Sequence, residues 1–167
     1  MSETHWTVAS LQPKIEAFLR PVLRRARLSL DFEVADGSRS GVDPTFEQPA
    51  VTVQFHGHDI DLLLANKGEL LLALEHVTLE MLHARPEDHS RLMFDAEDYR
   101  LLRIEELRLS AETAAEKVKR TGVPFRFNPM TSRERRVLHL ALRGDKSVRT
   151  ESEGLAPRRQ VVIHPAK

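Results

Sequence analysis

Arginine and histidine recur at close spacing in one short stretch, Ser132-Arg-Glu-Arg-Arg-Val-Leu-His-Leu-Ala-Leu-Arg143. Thr131 followed three residues later by Glu134 is a capping-box pattern, so a helix is expected to start there. At 3.6 residues per turn, Val137, Leu138, Ala141 and Leu142 share one buried stripe. Arg135, Arg136, His139 and Arg143 gather on the opposite side, within roughly one third of the circumference. Arg135 and His139 are i and i+4, hence neighbours on that surface. A guanidinium offers a planar fork of donors, and an imidazole nitrogen can donate, the more so once protonated below about pH 6.5. These are groups that hold phosphate oxygens. An ordinary solvated helix face is the alternative, and the spacing alone does not choose.

A second constellation, His56-Gly-His58-Asp59-Ile-Asp61, sets potential metal ligands at the end of an alternating segment. Zinc would need a further protein ligand and a partner for each histidine, which no motif supplies. No metal or other cofactor is therefore expected. Nucleophile elbows, phosphate loops and paired-carboxylate motifs are missing as well, so no catalytic residue is assigned and an enzyme is not expected. The chain has no cysteine, which excludes disulfides and thiolate chemistry.

Several elements must position these residues. Apolar residues at Leu11, Ile15, Phe18, Leu19, Val22, Leu23 and Ala26 mark a helix, with Pro21 expected to kink or restart it. Leu28 to Val34 and Val51 to Phe55 alternate as half-buried strands, separated by a turn-rich loop at Asp36 to Pro44. An apolar segment from Ile60 to Gly68 precedes a helix from Glu69 to about His83, and Arg91 to Asp95 reads as a third strand. The links allow antiparallel pairing throughout, so a three-stranded sheet with helices on one face is the economical arrangement. Leu101 to Arg120 is a long charged helix. Then come a strand at Val123 to Phe127, the helix at Ser132 to Arg143, and strands at Val148 to Glu151 and Gln160 to Ile163. The fold class is therefore α+β. It comprises two small α/β-sandwich-type domains at residues 8–98 and 99–167, each a three-stranded sheet with helices packed on one face.

Charge follows the same division. The whole chain balances 25 Lys/Arg against 25 Asp/Glu, but Thr121 to Lys167 holds ten of the former and four of the latter, a net of +6. Such asymmetry fits a polyanion-binding module joined to one that is not; two solvated surfaces of opposite sign would read the same way. Met1 to Trp6 lacks a basic region followed by an apolar one, and the apolar runs fall short of a membrane span, so a cytoplasmic protein is expected.

The stretch Asn128 to Leu142, then Val148-Arg-Thr-Glu-Ser-Glu-Gly154 and Arg159-Gln-Val-Val-Ile-His-Pro165, closely resembles the C-terminal domain of bacterial Jag (SpoIIIJ-associated) proteins. That domain is named for an arginine, three residues and a histidine (R-3-H), which fall on Arg135 and His139. The resemblance implies binding of single-stranded RNA, with single-stranded DNA as the alternative, and places Arg149, Ser152, Arg158 and Arg159 in a hairpin that extends the surface. The upstream part is similar to the family's KH domain, whose Gly-x-x-Gly loop clamps backbone phosphates. Here Ala65-Asn66-Lys67-Gly68 stands in that place, with the first glycine lost and Asp59, Asp61, Glu69 and Glu75 adding negative charge. A degenerate KH loop that binds RNA weakly or not at all is the expectation. The apolar positions Leu70 to Leu74 exceed one stripe, and either serve a protein partner or are buried from two sides. The resemblance further implies a small KH-only partner, a link to envelope growth or membrane-protein insertion, and a short form without an extra N-terminal domain. The rival reading is a scaffold whose KH-like part recruits a protein while the basic domain holds an acidic partner.

Overall fold

A computed structural model of the chain describes residues 6–166; the expectation that Met1 to His5 form no leader lies outside them, as does Lys167. The chain divides into two compact units, Met1–Arg100 and Leu101–Lys167. Among the described residues no helix is long and apolar enough to cross a membrane.

In the first unit, α1 (Val8–Arg25) leads into β1 (Leu30–Asp36), β2 (Val51–Gly57), α2 (Ile60–Met81) and β3 (Leu92–Asp95). The helix α1 continues through Pro21 as one element, so of the kink or restart expected from sequence the restart does not occur. A proline inside a helix costs about 3 kcal/mol. Leu11, Ile15, Leu19 and Leu23 offset that by burying one continuous stripe. Their partners stand on one sheet face, where Phe32 pairs with Phe55, Val34 with Val53, and Val53 with Phe94. Strand order is β1-β2-β3. The β1–β2 pair is antiparallel, but β2 and β3 run parallel, which corrects the all-antiparallel expectation. The reason lies in the connection: α2 carries the chain back to the end where β2 began, as a crossover helix does.

The second unit contains most of α3 (Tyr99–Thr121), then β4 (Phe125–Arg126), α4 (Ser132–Ala141), β5 (Val148–Glu153) and β6 (Gln160–Pro165). Its sheet is antiparallel with order β4-β6-β5. Ile104, Leu107, Ala111, Ala114, Ala115 and Val118 form the buried stripe of α3, and Val137, Leu138 and Leu142 that of α4. Ala141, expected in the same stripe, is only half-buried. The strand expected at Val123 to Phe127 shrinks to two ladder residues, because Val123 and Pro124 are exposed and proline cannot donate to a ladder. Both units are thus small α+β sandwiches with three-stranded sheets.

Candidate nucleic-acid interface

Three local features fix the arginine and histidine of the second unit. The first is the start of α4. Thr131 Oγ1 accepts the Glu134 backbone N–H, and the Glu134 carboxylate accepts the Thr131 backbone N–H at 3.0 Å. Glu134 also pairs with Arg103 of α3 at 2.7 Å. Burial opposes ionisation of Glu134, yet the Thr131 and Arg103 donors outweigh it and hold the carboxyl below its ordinary range.

The second feature is the alternation of β5. Residues two apart share a sheet face, so Thr150 and Ser152 both turn toward α4. His139 Nδ1 lies 2.7 Å from Thr150 Oγ1, and its Nε2 lies 2.9 Å from Ser152 Oγ. Arg135 Nη1 donates to the same Ser152 hydroxyl at 3.1 Å, and Nη2 donates to Ser132 Oγ at 2.8 Å. Arg135 Nε is buried without a hydrogen-bond partner among the described residues. The third feature is Arg159, whose Nη2 reaches the Ser152 carbonyl at 3.5 Å.

Among the described residues Arg135 is therefore held by two neutral hydroxyls and by no carboxylate. Burial and the charge of Arg159 push its guanidinium below its ordinary value. Burial first, and then the charge of Arg135, push the imidazole of His139 down as well. Protonation of His139 thus begins at a lower pH than an unperturbed imidazole would show. A cation fixed in place with its charge uncompensated, beside a second cation, is suited to take an anion.

The structure brings together Arg135, His139, Ser152 and Arg159. Arg136, Arg143 and Arg158 are exposed, and among the described residues no ion pair holds them. Arg149 does not join the cluster. Alternation turns it to the other sheet face, where it pairs with Glu151. Glu151, Glu153 and His164 on that face have ligand atoms within 4.8 Å of one another, but arginines neutralise both carboxylates, Arg126 holding Glu153. The box at His56, His58, Asp59 and Asp61 does not assemble; Asp59 instead accepts the Ser29 backbone N–H at 2.6 Å. Sequence reasoning passed over Thr150 and Ser132. Thr150 was detectable, since it lies two residues from Ser152 in an alternating strand.

In the first unit α2 breaks at Ala65 to Gly68, where a KH domain carries its Gly-x-x-Gly loop. Ala65 is extended (φ −55°, ψ 153°), and Asn66, Lys67 and Gly68 follow with φ of 53°, 61° and 69°. Ala65 occupies a conformation that needs no glycine, which explains how the first glycine can be dispensed with. Gly68 is constrained twice: its φ is left-handed, and a Cβ there would lie 2.9 Å from the Tyr99 ring. The Tyr99 hydroxyl donates to the Lys67 carbonyl. Glu75 does not add charge to the loop as expected. It is buried and paired with Arg100 at 2.7 Å.

The R-3-H domain family matches residues 105–165. Over 154 residues the chain is 32% identical to the RNA-binding protein KhpB of Clostridium symbiosum, covering 92% of this chain and 66% of that one. Against the RNA-binding protein KhpB of Bacillus subtilis it is 32% identical over 145 residues, 84% of this chain and 69% of that one. For Lactiplantibacillus plantarum the figures are 31% over 127 residues, 76% and 39%. The chain thus spans about two thirds or less of the length of these relatives. With the arginine-histidine pair, its hydroxyl partners and both units accounted for, the chain belongs to the Jag-type family whose curated members carry the name KhpB.

Proposed function

We propose that the protein binds single-stranded RNA without catalysing a reaction, single-stranded DNA being the alternative ligand that the same chemistry admits. The observation that carries this is the anchoring of Arg135 by Ser132 and Ser152, with no ion pair to a carboxylate among the described residues. Arg159 and His139 flank it, and the exposed Arg136 and Arg143 supply further positive charge. The relatives' name and the family match support the same reading. In this reading residues 8–98 are the KH-like domain and 99–167 the R-3-H domain, working in the cytoplasm as a regulator. The link to envelope growth or membrane-protein insertion rests on the family resemblance alone, as does a small KH-only partner.

The test is titration of the full chain with single-stranded RNA at several salt concentrations. If about four phosphates are engaged, log K falls against log salt with a slope near −2.8, at ~0.7 per contact. An affinity independent of salt overturns the electrostatic account.

A second role, protein docking by the KH-like unit, has one observation in its favour. Leu71 and Leu74 are buried, but Leu62 and Val77 of α2 are 58% and 42% exposed. Loss of partner capture on Val77→Lys, with RNA affinity kept, would support it.

A further inference from the structure

The second unit has a groove that the arginine-histidine cluster does not use. Its walls are Leu109, Thr113, Lys117 and Arg120 of α3, and its floor is Phe125 and Phe127, enclosing about 880 Å³. Leu109, Thr113 and Lys117 recur every fourth residue, so they form one stripe along the helix. Phe125 stands in β4 and Phe127 follows just beyond it, both half-buried, with ring centroids 5.1 Å apart and planes at 74°. Lys117 Nζ stands 5.6 Å from the centroid of Phe125. Among the described residues neither Lys117 nor Arg120 enters an ion pair. The carboxylate at the rim, Glu116, is held by Lys119 at 2.7 Å. The strand carrying Phe125, β4, is one edge of the sheet, and the strand carrying Thr150 and Ser152 is the other.

Flat apolar rings beside unpaired cations match one ligand chemistry better than any other, a nucleobase with its phosphate. A base stacks on an aromatic ring, and the lysine and arginine meet the adjoining backbone. An acidic peptide would satisfy the cations but leave the two rings without a planar partner. We propose that this groove is a base-stacking subsite for single-stranded RNA, separate from the phosphate contacts at Arg135. The inference rests on the RNA-binding reading above and deepens it: Arg135 supplies charge, and the groove supplies contact with the bases.

The experiment compares the full chain's affinity for a short oligoadenylate with that for an abasic ribose-phosphate oligomer of the same length. The wild-type protein is expected to prefer the base-bearing oligomer by about tenfold, the scale of one stacked base. Phe127→Leu keeps the apolar volume and removes the aromatic face, so it should abolish the preference and leave abasic binding unchanged. Arg135→Ala should weaken both oligomers and keep the preference. If Phe127→Leu fails to fold, Phe125→Leu and exposed Leu109→Asn take its place, and an unchanged preference in both overturns the subsite. Equal wild-type binding of the two oligomers overturns it too, while leaving RNA binding intact. Binding of neither oligomer defeats the RNA-binding reading itself. Self-association that Phe127→Leu disperses makes a second copy of the chain the occupant, and also overturns it.

Discussion

The Oγ of Ser152 lies 2.9 Å from His139 Nε2, and that one hydroxyl also receives Arg135 Nη1. Arg135 can only donate, so the oxygen accepts from it, which leaves its O–H and a second lone pair to face the imidazole. In a neutral imidazole one ring nitrogen accepts and the other donates, and each faces a hydroxyl able to serve either role. Only the step from Arg135 to Ser152 has a fixed direction; the serine, histidine and threonine complete a continuous hydrogen-bonded row. It suits a neutral imidazole.

Ser152→Ala removes the shared oxygen. Both partners are half-buried and can be reached by water, so the stability loss should be about 1 kcal/mol, the net worth of a typical hydrogen bond. RNA affinity should fall several-fold, because Arg135 loses its orientation. Paired thermal melts and RNA titrations check this; a normal affinity would show that the serine is dispensable.

The histidine makes the protein acid-sensitive in a defined direction. Its folded pKa is depressed by burial and by Arg135, so between that value and about 6.5 the unfolded chain binds more protons than the folded one. This contribution to stability is complete above about pH 6.5 and declines as pH falls through the window. The His139 ring resonances should titrate with a midpoint below 6.5, and His139→Gln should flatten the dependence of the melting point on pH. A midpoint above 6.5 would refute this.

Glu75 and Arg100 form a pair whose side chains are each 8% exposed, and both also bind the backbone of Phe94. Removing one charge strands the other in the interior, which costs about 3–5 kcal/mol. Glu75→Leu and Arg100→Leu should each lower the denaturation free energy by that order. The double substitution should recover part of the loss, and additive losses would contradict the pairing.

Gly68→Ala meets both a left-handed backbone and the Tyr99 ring, so it should destabilise the first unit by at least about 1–2 kcal/mol. Ala65→Gly should fold normally. Lys67→Ala should change RNA affinity less than twofold, since the loop is fastened to Tyr99 and Glu69 and Asp61 stand exposed near it. Abolished binding on Lys67→Ala would instead make the loop a working phosphate clamp.

What could be read from the sequence was what is encoded locally. The Thr131–Glu134 box set the start of α4, and i, i+4 spacing put Arg135 beside His139. Alternation located Phe32, Val34, Val51 and Val53 on strands. Contacts between distant segments were illegible. Nothing near His139 announces that Thr150 and Ser152 will face it, because the register of β5 against the helix is a tertiary matter. Glu75 looked like surface charge among leucines, since its partner lies 25 residues away. The parallel β2–β3 pairing was missed because a strand pattern has no direction; only the length of the helical link could have indicated a crossover.

Glu134 sits next to Arg135 in sequence, and an unpaired carboxylate there would repel an incoming phosphate. The structure disarms it, with the Thr131 backbone on one oxygen and Arg103 on the other. Arg103 touches no proposed ligand, yet it governs what an anion experiences on approach. Arg103→Leu would release a negative charge beside the arginine and weaken binding from behind. The electrostatic sign of the site is therefore set partly by a residue on α3 that does not belong to the site at all.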